Sequence, residues 1–252
     1  MSKKLRLRSF LMRSGRFSRS SEAGHEIKSG NVEVDGTIVR NPEYSVRTSS
    51  VIKISGKELD IVPLTYVILN KQKGTICQKS SGEKTVYDVI SRIQKIDQKT
   101  RNSLFTVGRL DRDTKGLLIV TNDGKLERML TRKENHVIKT YEAGLKGTVS
   151  ENDLETLKKG LGIADDDTGK TFIVRAITLK RLGEKTIEIG IDEGRKRQIK
   201  KMFEAAGNEV VSLKRTGIGK MRIEDVPFGK KQYVITDKKY LDSIISGKEK
   251  KG

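Results

Sequence analysis

Apolar residues recur at helical spacing over residues 5–30, and this pattern predicts two short helices. Ser14 and Gly15 separate the two helices, and the serine cluster at 18–21 offers a cap for the second one. Each helix is predicted to have one apolar face, formed by Leu7, Phe10 and Leu11 in the first helix and by Ala23 and Ile27 in the second.

The next segment alternates between apolar and polar residues, as strands with one buried face do. Val32 and Val34 would point to one side of a strand before the chain turns at Asp35-Gly36. A strand at 51–55 follows, and residues 57–63 have the composition of a linker. We therefore predict a small α+β domain over residues 1–60.

Longer apolar runs after residue 60 predict a second, larger domain over residues 61–252. Most runs are strand-like and few have helical periodicity, so we expect an α+β fold with a mixed, mainly antiparallel β-sheet and flanking helices. The predicted strands lie at 66–76, 117–120, 139–147, 171–180 and 185–191, with a strand and loop at 106–111, and helices lie at 86–93 and 152–161.

The clearest helix is predicted over residues 197–207, which Gly207 ends. Its polar face carries cations at 197, 200 and 201. The apolar residues fall at positions i, i+3, i+4 and i+7, namely Ile199, Met202, Phe203 and Ala206.

Positive charge dominates the composition: 52 Lys and Arg against 33 Asp and Glu give a formal net charge of +19. The charge is concentrated in two segments, residues 1–20 and residues 195–201. Two separate basic segments indicate contacts with one long polyanion such as RNA. We expect no membrane partner, since no apolar run approaches 18 residues and no signal peptide is recognisable.

Other chemistries have little support in the sequence. The lone Cys77 excludes an internal disulfide, and with only His25 and His136 no zinc site is expected. Residues 164–171 end in Gly-Lys-Thr like a phosphate loop, but three aspartates would repel phosphate, and the ligand spacing of a calcium loop is missing.

One acid lies in an unusual setting, within GRLDRDTKGLLIVTNDG at 108–124. Asp111 lies between Arg109 and Arg112, which favour its ionised form, and the apolar run and turn at 122–124 could hold its loop still. Such an acid is suited to nucleophilic chemistry. The alternative from these residues alone is a salt-bridged aspartate that closes a turn.

The first domain resembles a known module. LRLRSFLMRSGRFSRSSEAGHEIKSGNVEVDGTIV, within residues 5–56, is similar to the small RNA-binding domain named after ribosomal protein S4. The resemblance implies RNA contacts by its basic residues, although SSEAGHEI departs from the usual, more basic second helix. The candidate contacts are Arg6, Arg8, Arg16 and Arg19.

The second domain resembles the RsuA/RluB family of RNA pseudouridine synthases. The resemblance rests on GRLDRDTKGLLIVTNDG and on EGRKRQIKKMFEAAGNEVVSLKRTGIG at 193–219, and with the first domain it spans roughly residues 5–235. Residues 139–141 (KTY) fit a further element, whereas Gln72 stands where the family usually has proline.

The resemblance implies a role for each matching residue. Asp111 would attack the target uridine, whose base detaches, rotates and rejoins through carbon five. Tyr141 would stack on the flipped base and act as its general base, although a core tyrosine is the alternative. Lys200 would be the charge partner of Asp111. Ile199 would line the base pocket. Arg109, Arg195 and Arg197 would bind phosphates, although solvated side chains without a ligand are the alternative for these arginines. Asn70 and Lys71 are also predicted to contact the substrate.

Together these observations predict a monomeric, cytoplasmic enzyme that isomerises one uridine in ribosomal RNA. The resemblance implies that it needs no cofactor or metal. A ribosome-assembly or RNA-binding factor without catalysis would share the basic segments. The presence of Asp111, Tyr141 and Lys200 together favours the enzyme, because a pure binding protein has no need of that set.

Overall fold

The computed structural model describes residues 4–17 and 19–246, which form two compact units. The first comprises the chain up to Tyr66 with Tyr87–Phe105 and Val120–Gly124. The second comprises Val67–Val86, Thr106–Ile119 and the chain from Lys125 onward. The sequence predicts a frayed tail at 247–252, and this tail and Ser18 of the serine cluster lie outside the described residues.

The chain up to residue 58 forms two helices and two small antiparallel sheets. One sheet pairs the first strand with the fourth, and the other has the order β3-β2-β5-β6. The elements are β1 (Lys4–Arg6), α1 (Leu7–Arg13), α2 (Ser20–Lys28), β2 (Val32–Val34), β3 (Thr37–Ile38), β4 (Ser45–Arg47), β5 (Ile52–Ile54) and β6 (Lys57–Glu58).

The predicted apolar faces of this segment form its core. Strands β2 and β5 pair in antiparallel register and contribute alternate buried residues. Burial of these side chains provides the main driving force for folding of so short a segment. The buried residues include all seven predicted ones: Leu7, Phe10, Leu11, Ala23, Ile27, Val32 and Val34.

Two predictions for this segment are wrong. The residue at the N-cap of α2 is Arg19 rather than a serine, and its backbone amide donates to the Glu22 carboxylate (3.1 Å). Residues 57–63 are not a linker, because β6 pairs with β5 and Leu59 and Ile61 pack against the core. Composition alone did not reveal these contacts with residues earlier in the chain.

The remainder of the described chain alternates strands with short helices. Two turns of 3-10 helix, Lys133–Asn135 and Ile223–Asp225, add to them. The elements are β7 (Tyr66–Lys71), α3 (Val86–Ser91), α4 (Gln98–Ser103), β8 (Phe105–Thr106), β9 (Lys115–Thr121), α5 (Gly124–Thr131), β10 (Lys139–Leu145), α6 (Glu151–Lys159), β11 (Leu161–Ala164), β12 (Thr171–Val174), β13 (Thr178–Gly183), β14 (Thr186–Ile191), α7 (Gln198–Ala205), β15 (Val210–Ile218), β16 (Met221–Arg222), β17 (Tyr233–Thr236) and α8 (Lys238–Ser246).

A mixed sheet with the order β13-β14-β10-β15-β9-β7-β17 organises these elements, and β8 and β16 pair at its side. Strand β10 pairs antiparallel with both β14 and β15, whereas β15 and β9 run parallel. Strands β11 and β12 form a separate hairpin, and α7 packs against β11 and β15. The α+β class and the mainly antiparallel sheet are thus confirmed.

Several elements of this region have no counterpart in the sequence prediction, among them α4, α5, β15, β17 and α8. The chain bends at Asn122, within the predicted turn at 122–124, and α5 begins at Gly124. No helix in the part of the chain that the structure describes is long and apolar enough to cross a membrane.

Candidate active site

Asp111 lies on the loop between β8 and β9, and backbone hydrogen bonds fix this loop. The Thr114 amide donates to the Asp111 carbonyl (3.1 Å), closing a turn. The Gly74 amide donates to the Arg112 carbonyl (2.8 Å) from the neighbouring segment. The loop can therefore present the Asp111 side chain in a constant position.

Lys71, at the end of β7, holds the same loop from inside the protein. Its side chain is 3 % exposed, and its ammonium donates to the carbonyls of Asp111 (2.9 Å) and Thr114 (2.6 Å). Burial lowers the pKa of the Lys71 amine, with Arg215 acting in the same direction. The sequence predicts Lys71 as a substrate contact, but its ammonium faces the loop. Asn70, the preceding residue of β7, is half-buried and is not among the residues that line the cleft around Asp111.

The Asp111 carboxylate is partly exposed and has no hydrogen bond or ion pair within the described residues. Arg112 pairs with Glu83 instead (2.9 Å), and Arg109 is exposed at the edge of the cleft. The structure therefore lacks the salt bridge of the alternative interpretation. Asp111 lines a small cleft of about 80 Å³, well below the volume of typical small-ligand sites.

The wall of the cleft is aromatic and apolar. Tyr141 lies on β10, paired with Ile189 of β14 on one side and Arg215 of β15 on the other. Its side chain is 8 % exposed, and Ile199 of α7 is 3 % exposed. Such a surface suits the flat face of a base. The apolar part of the lining consists of Leu110, Ile191, Ile199 and Leu213.

Arginines line the other side of the cleft. The Arg195 guanidinium stacks on the ring of Phe172, 3.6 Å from its centroid, so a residue of β12 sets its orientation. Arg197, just before α7, has a left-handed backbone (φ 54°) and an exposed side chain. The structure therefore brings Arg109, Arg195 and Arg197 together with Asp111, Tyr141 and Ile199 around one cleft.

Lys200 forms an ion pair with Asp113, two residues beyond Asp111 on the same loop. Burial raises the pKa of the Asp113 carboxyl, but the hydrogen bond and charge of Lys200 outweigh it, so the pKa lies below its ordinary value. The predicted charge partner thus reaches the correct loop but binds its second acid. A direct pair between Lys200 and Asp111 stays a prediction.

Sequence reasoning missed three residues near the cleft. Asp113 was visible inside the Arg-Leu-Asp-Arg-Asp motif, but spacing could not tell which acid Lys200 binds. Thr114 lines the cleft, and its hydroxyl is buried without a hydrogen-bond partner among the described residues. No sequence signal identified Phe172 as the residue that orients Arg195.

The four arginines predicted to contact RNA in the first domain fall into two pairs. Arg6 and Arg8 both form ion pairs with Glu43. Arg16 and Arg19 are exposed, and within the described residues their guanidinium groups have no ion pair. The second pair therefore has charges that are not neutralised by an acid of the chain.

Comparison with known proteins identifies the class to which this fold and cleft belong. The family model described as RNA pseudouridylate synthase matches residues 65–205, and the S4 domain model matches residues 5–52. Because the first match covers more than half of the chain, the chain belongs to the RNA pseudouridylate synthase family. It is an RNA pseudouridine synthase with an N-terminal S4 domain, as the sequence predicts.

Individual relatives match most of the chain. The uncharacterized RNA pseudouridine synthase YtzG of Bacillus subtilis is 34% identical over 223 residues, covering 87% of this chain and 90% of the relative. Ribosomal large subunit pseudouridine synthase B of the same organism is 34% identical over 215 residues, covering 83% and 84%.

Ribosomal small subunit pseudouridine synthase A of Escherichia coli is 31% identical over 204 residues, covering 80% of this chain and 84% of the relative. A solved structure described as a pseudouridylate synthase has a TM-score of 0.64 and 28% identity, covering 95% of this chain and 99% of that one. These relatives confirm the predicted RsuA/RluB-type resemblance.

Proposed function

We propose that this enzyme isomerises a specific uridine of ribosomal RNA and that Asp111 is its nucleophile. One observation carries the proposal: the Asp111 carboxylate, which is unpaired among the residues that the structure describes, lies on a loop held by Lys71 and lines a cleft with Tyr141 and three arginines. Two relatives that match more than four fifths of the chain are named for ribosomal subunits, which supports ribosomal RNA as the substrate.

The reaction requires that the base leave and rejoin its ribose. The Asp111 carboxylate attacks the anomeric carbon of the ribose, and the bond from this carbon to nitrogen one breaks. The base rotates within the cleft, and its carbon five attacks the anomeric carbon, so that the bond to Asp111 breaks and the carboxylate is released. Carbon five then loses its proton, and nitrogen one gains one. No atom is added or lost overall, and the chain's own residues suffice for each of these steps.

Tyr141 is proposed to stack on the rotating base and to accept the proton from carbon five, with Ile199 packed against the base from α7. The low exposure of both side chains supports this role, since a base enclosed by them is shielded from water. Arg109, Arg195 and Arg197 are proposed to hold phosphates at the rim, where guanidinium groups bind them well.

Lys200 is proposed to keep the Asp111 loop in a positive field that favours an ionised nucleophile. Its ion pair with Asp113 supports this role, because the ammonium is tied to the loop that carries Asp111. Lys71 is proposed to act on the same loop through its carbonyls rather than by contact with RNA.

We further propose that residues 1–60 anchor the RNA and residues 61–252 carry the reaction. The positions of the two family matches support this division, since they end at residue 52 and begin at residue 65. We also propose that the enzyme acts as a monomer in the cytoplasm, where ribosomal RNA is available. Sedimentation and cell fractionation test these two points.

Release of tritium from carbon five of labelled uridine in a ribosomal RNA transcript tests the catalytic proposal. We expect release with the wild-type enzyme and a loss of about 10³-fold or more with Asp111→Asn, because an amide is a far poorer nucleophile. The matched control is Asp242→Asn on α8, which removes a carboxylate paired with Lys238. We expect this control to release tritium at the wild-type rate.

Two outcomes would contradict the proposal in different ways. Release that is unchanged in Asp111→Asn would remove Asp111 from the reaction. Release of tritium from another RNA, but from no ribosomal RNA, would support the proposed reaction and contradict the proposed substrate. Mapping pseudouridines in ribosomal RNA from cells with and without the protein then identifies the target.

A further inference from the structure

The basic segment at 195–201, which the sequence predicts as an open phosphate-binding surface, is mostly engaged within the protein. Lys196 donates to the Asp167 carboxylate (2.8 Å). Lys201 donates to the Asp166 carboxylate (2.6 Å) and to the Ala164 carbonyl (2.6 Å). Arg195 is stacked on Phe172, and Lys200 is paired with Asp113. Among the described residues, the Arg197 guanidinium has no hydrogen bond or ion pair, although it lies close enough to Asp113 and Asp166 to lower their pKa values.

Three of these five cations are bound by a single element, the hairpin of β11 and β12. Its loop has a defined shape because the Asp165 carboxylate accepts hydrogen bonds from the Thr168 amide (2.9 Å) and hydroxyl (2.8 Å). Asp165 therefore stabilises the conformation of the loop, while the carboxylates of Asp166 and Asp167 form ion pairs with the lysines. The hairpin thus places two carboxylates against two lysines of the basic segment.

The ion pair of Lys196 with Asp167 is exposed and weak enough for RNA to compete with it, whereas in the pair of Lys201 with Asp166 the two side chains are 15% and 42% exposed. The Lys196 and Asp167 side chains are 47% and 71% exposed, and such pairs contribute little to stability. The hydrogen bond and charge of Asp167 raise the pKa of Lys196, and the hydrogen bond from Lys201 lowers the pKa of Asp166. Each of the two lysines is therefore paired with a carboxylate of the hairpin in the free enzyme.

We propose that the β11–β12 hairpin is an intramolecular competitor for RNA phosphates that makes Asp166 and Asp167 determinants of RNA selectivity. Phosphate charge alone binds any RNA, and a protein of net charge +19 is prone to such binding. By pairing with Lys196 and Lys201, the hairpin weakens the contacts of these lysines with RNA phosphates, which are the same in every RNA sequence. RNA that also fills the cleft at Asp111 gains contacts that the hairpin does not oppose. This inference rests on the proposed binding of RNA at the cleft.

The test measures binding of oligoadenylate, which has phosphates but no uridine, by the full-length protein at several salt concentrations. We expect Asp166→Asn with Asp167→Asn to bind it about tenfold more tightly than wild type at low salt, since exposed pairs are worth at most about fivefold each. The salt slope is the slope of the logarithm of the binding constant against the logarithm of the salt concentration. We also expect this slope to steepen by about 1.4, or about 0.7 for each lysine that becomes free to bind phosphate.

The control is Glu155→Gln with Asp242→Asn, which changes the net charge equally by removing exposed acids paired with Lys158 and Lys238. Equal tightening in this control would reduce the effect to net charge and overturn the proposal. So would no tightening in the hairpin variant. Because oligoadenylate cannot be isomerised, these results are independent of whether Asp111 is the nucleophile.

A second pair of variants keeps the test valid if the aspartate changes alter the loop. Lys196→Gln with Lys201→Gln is expected to leave oligoadenylate affinity within about twofold of wild type when the hairpin acids are present, because neutralised lysines add little. In the D166N/D167N background the same two changes should remove the gain. Loss of affinity by the lysine changes in the wild-type hairpin would show that the lysines are free, contrary to the proposal.

Discussion

Lys71 illustrates how a single buried charge can organise a reactive loop. A lysine is rarely buried unless its ammonium has partners, and here they are carbonyls of the loop that carries Asp111. The sequence identified Lys71 as part of the site but could not distinguish a substrate contact from a support. That distinction depends on which way the side chain points from β7.

Replacing Lys71 by methionine is expected to lower the free energy of unfolding by about 2 kcal/mol and to reduce kcat. The carbonyls of Asp111 and Thr114 would lose their donor while remaining buried, and the loop would lose its anchor. Urea unfolding and tritium release measure the two effects. Lys73→Met, at an exposed position nearby, is the control and should change neither; an unaffected Lys71→Met would mean that the loop holds its shape without the ammonium.

Tyr141→Phe separates stacking from proton transfer. The ring stays on β10, so RNA binding and KM should remain close to wild type, while the loss of the hydroxyl is expected to lower kcat about 10²-fold. Steady-state tritium release over a range of RNA concentrations measures this split. Normal turnover would exclude the hydroxyl from proton transfer, and a large rise in KM would indicate a binding role instead.

The pairing of Lys200 shows where residue-level prediction ends. The sequence identified the helix, its buried side at Ile199 and the exposed lysine next to it. Asp111 and Asp113 lie two residues apart, however, and the structure pairs Lys200 with Asp113. Spacing along a loop does not fix the direction of each carboxylate, because that direction depends on contacts such as those of Lys71.

At the scale of elements, strong hydrophobic periodicity predicted a helix correctly, whereas several short elements were not predicted. The spacing of Ile199, Met202 and Phe203 predicted α7, and all three are buried. Helix α4 has six residues and little apolar pattern; its start is fixed by Asp97, whose carboxylate accepts from the Thr100 amide (2.9 Å). Elements of this length are stabilised by caps and packing that a sequence window does not contain.

The parallel pairing of β9 with β15 depends on a glycine of the Asp111 motif. Gly116 has φ +110°, and a Cβ at this position would lie 2.2 Å from the Arg215 carbonyl oxygen. The motif therefore contains a glycine that the fold requires as well as the reactive acid. The backbones of β9 and β15 approach too closely at this point for any side chain.

Gly116→Ala is accordingly expected to lower the free energy of unfolding by about 3 kcal/mol, because the backbones must separate and an alanine is strained at this φ. Thermal unfolding measures the change. Gly183→Ala on β13 is the matched control, since its Cβ would meet only Thr186 atoms at 4.0 Å, and it should be nearly neutral. Equal stability of the two variants would mean that β9 and β15 can shift apart freely.

At the scale of the whole molecule, net charge overstates the surface that is ready to bind RNA. Many cations of the basic segments are engaged by acids of the same chain, as Lys196 and Lys201 are by the hairpin and Arg6 and Arg8 are by Glu43. The sequence correctly predicted a polyanion partner and a basic N-terminal module. It could not reveal which charges are free, because the pairing acids lie far along the chain.

Arg16 and Arg19 should therefore matter more for RNA affinity than Arg6 and Arg8. Replacing the first pair by alanine is expected to raise KM and to reduce the salt slope of RNA binding by about 1.4, since two unneutralised cations are lost. Replacing the second pair removes two charges that a single carboxylate, Glu43, partly neutralises, so the slope should change by about half as much. Both double variants should keep the wild-type kcat, because neither touches the cleft around Asp111. Equal slopes for the two variants would show that RNA displaces Glu43 and uses all four arginines, and a fall in kcat would show that the N-terminal module also shapes the reactive cleft.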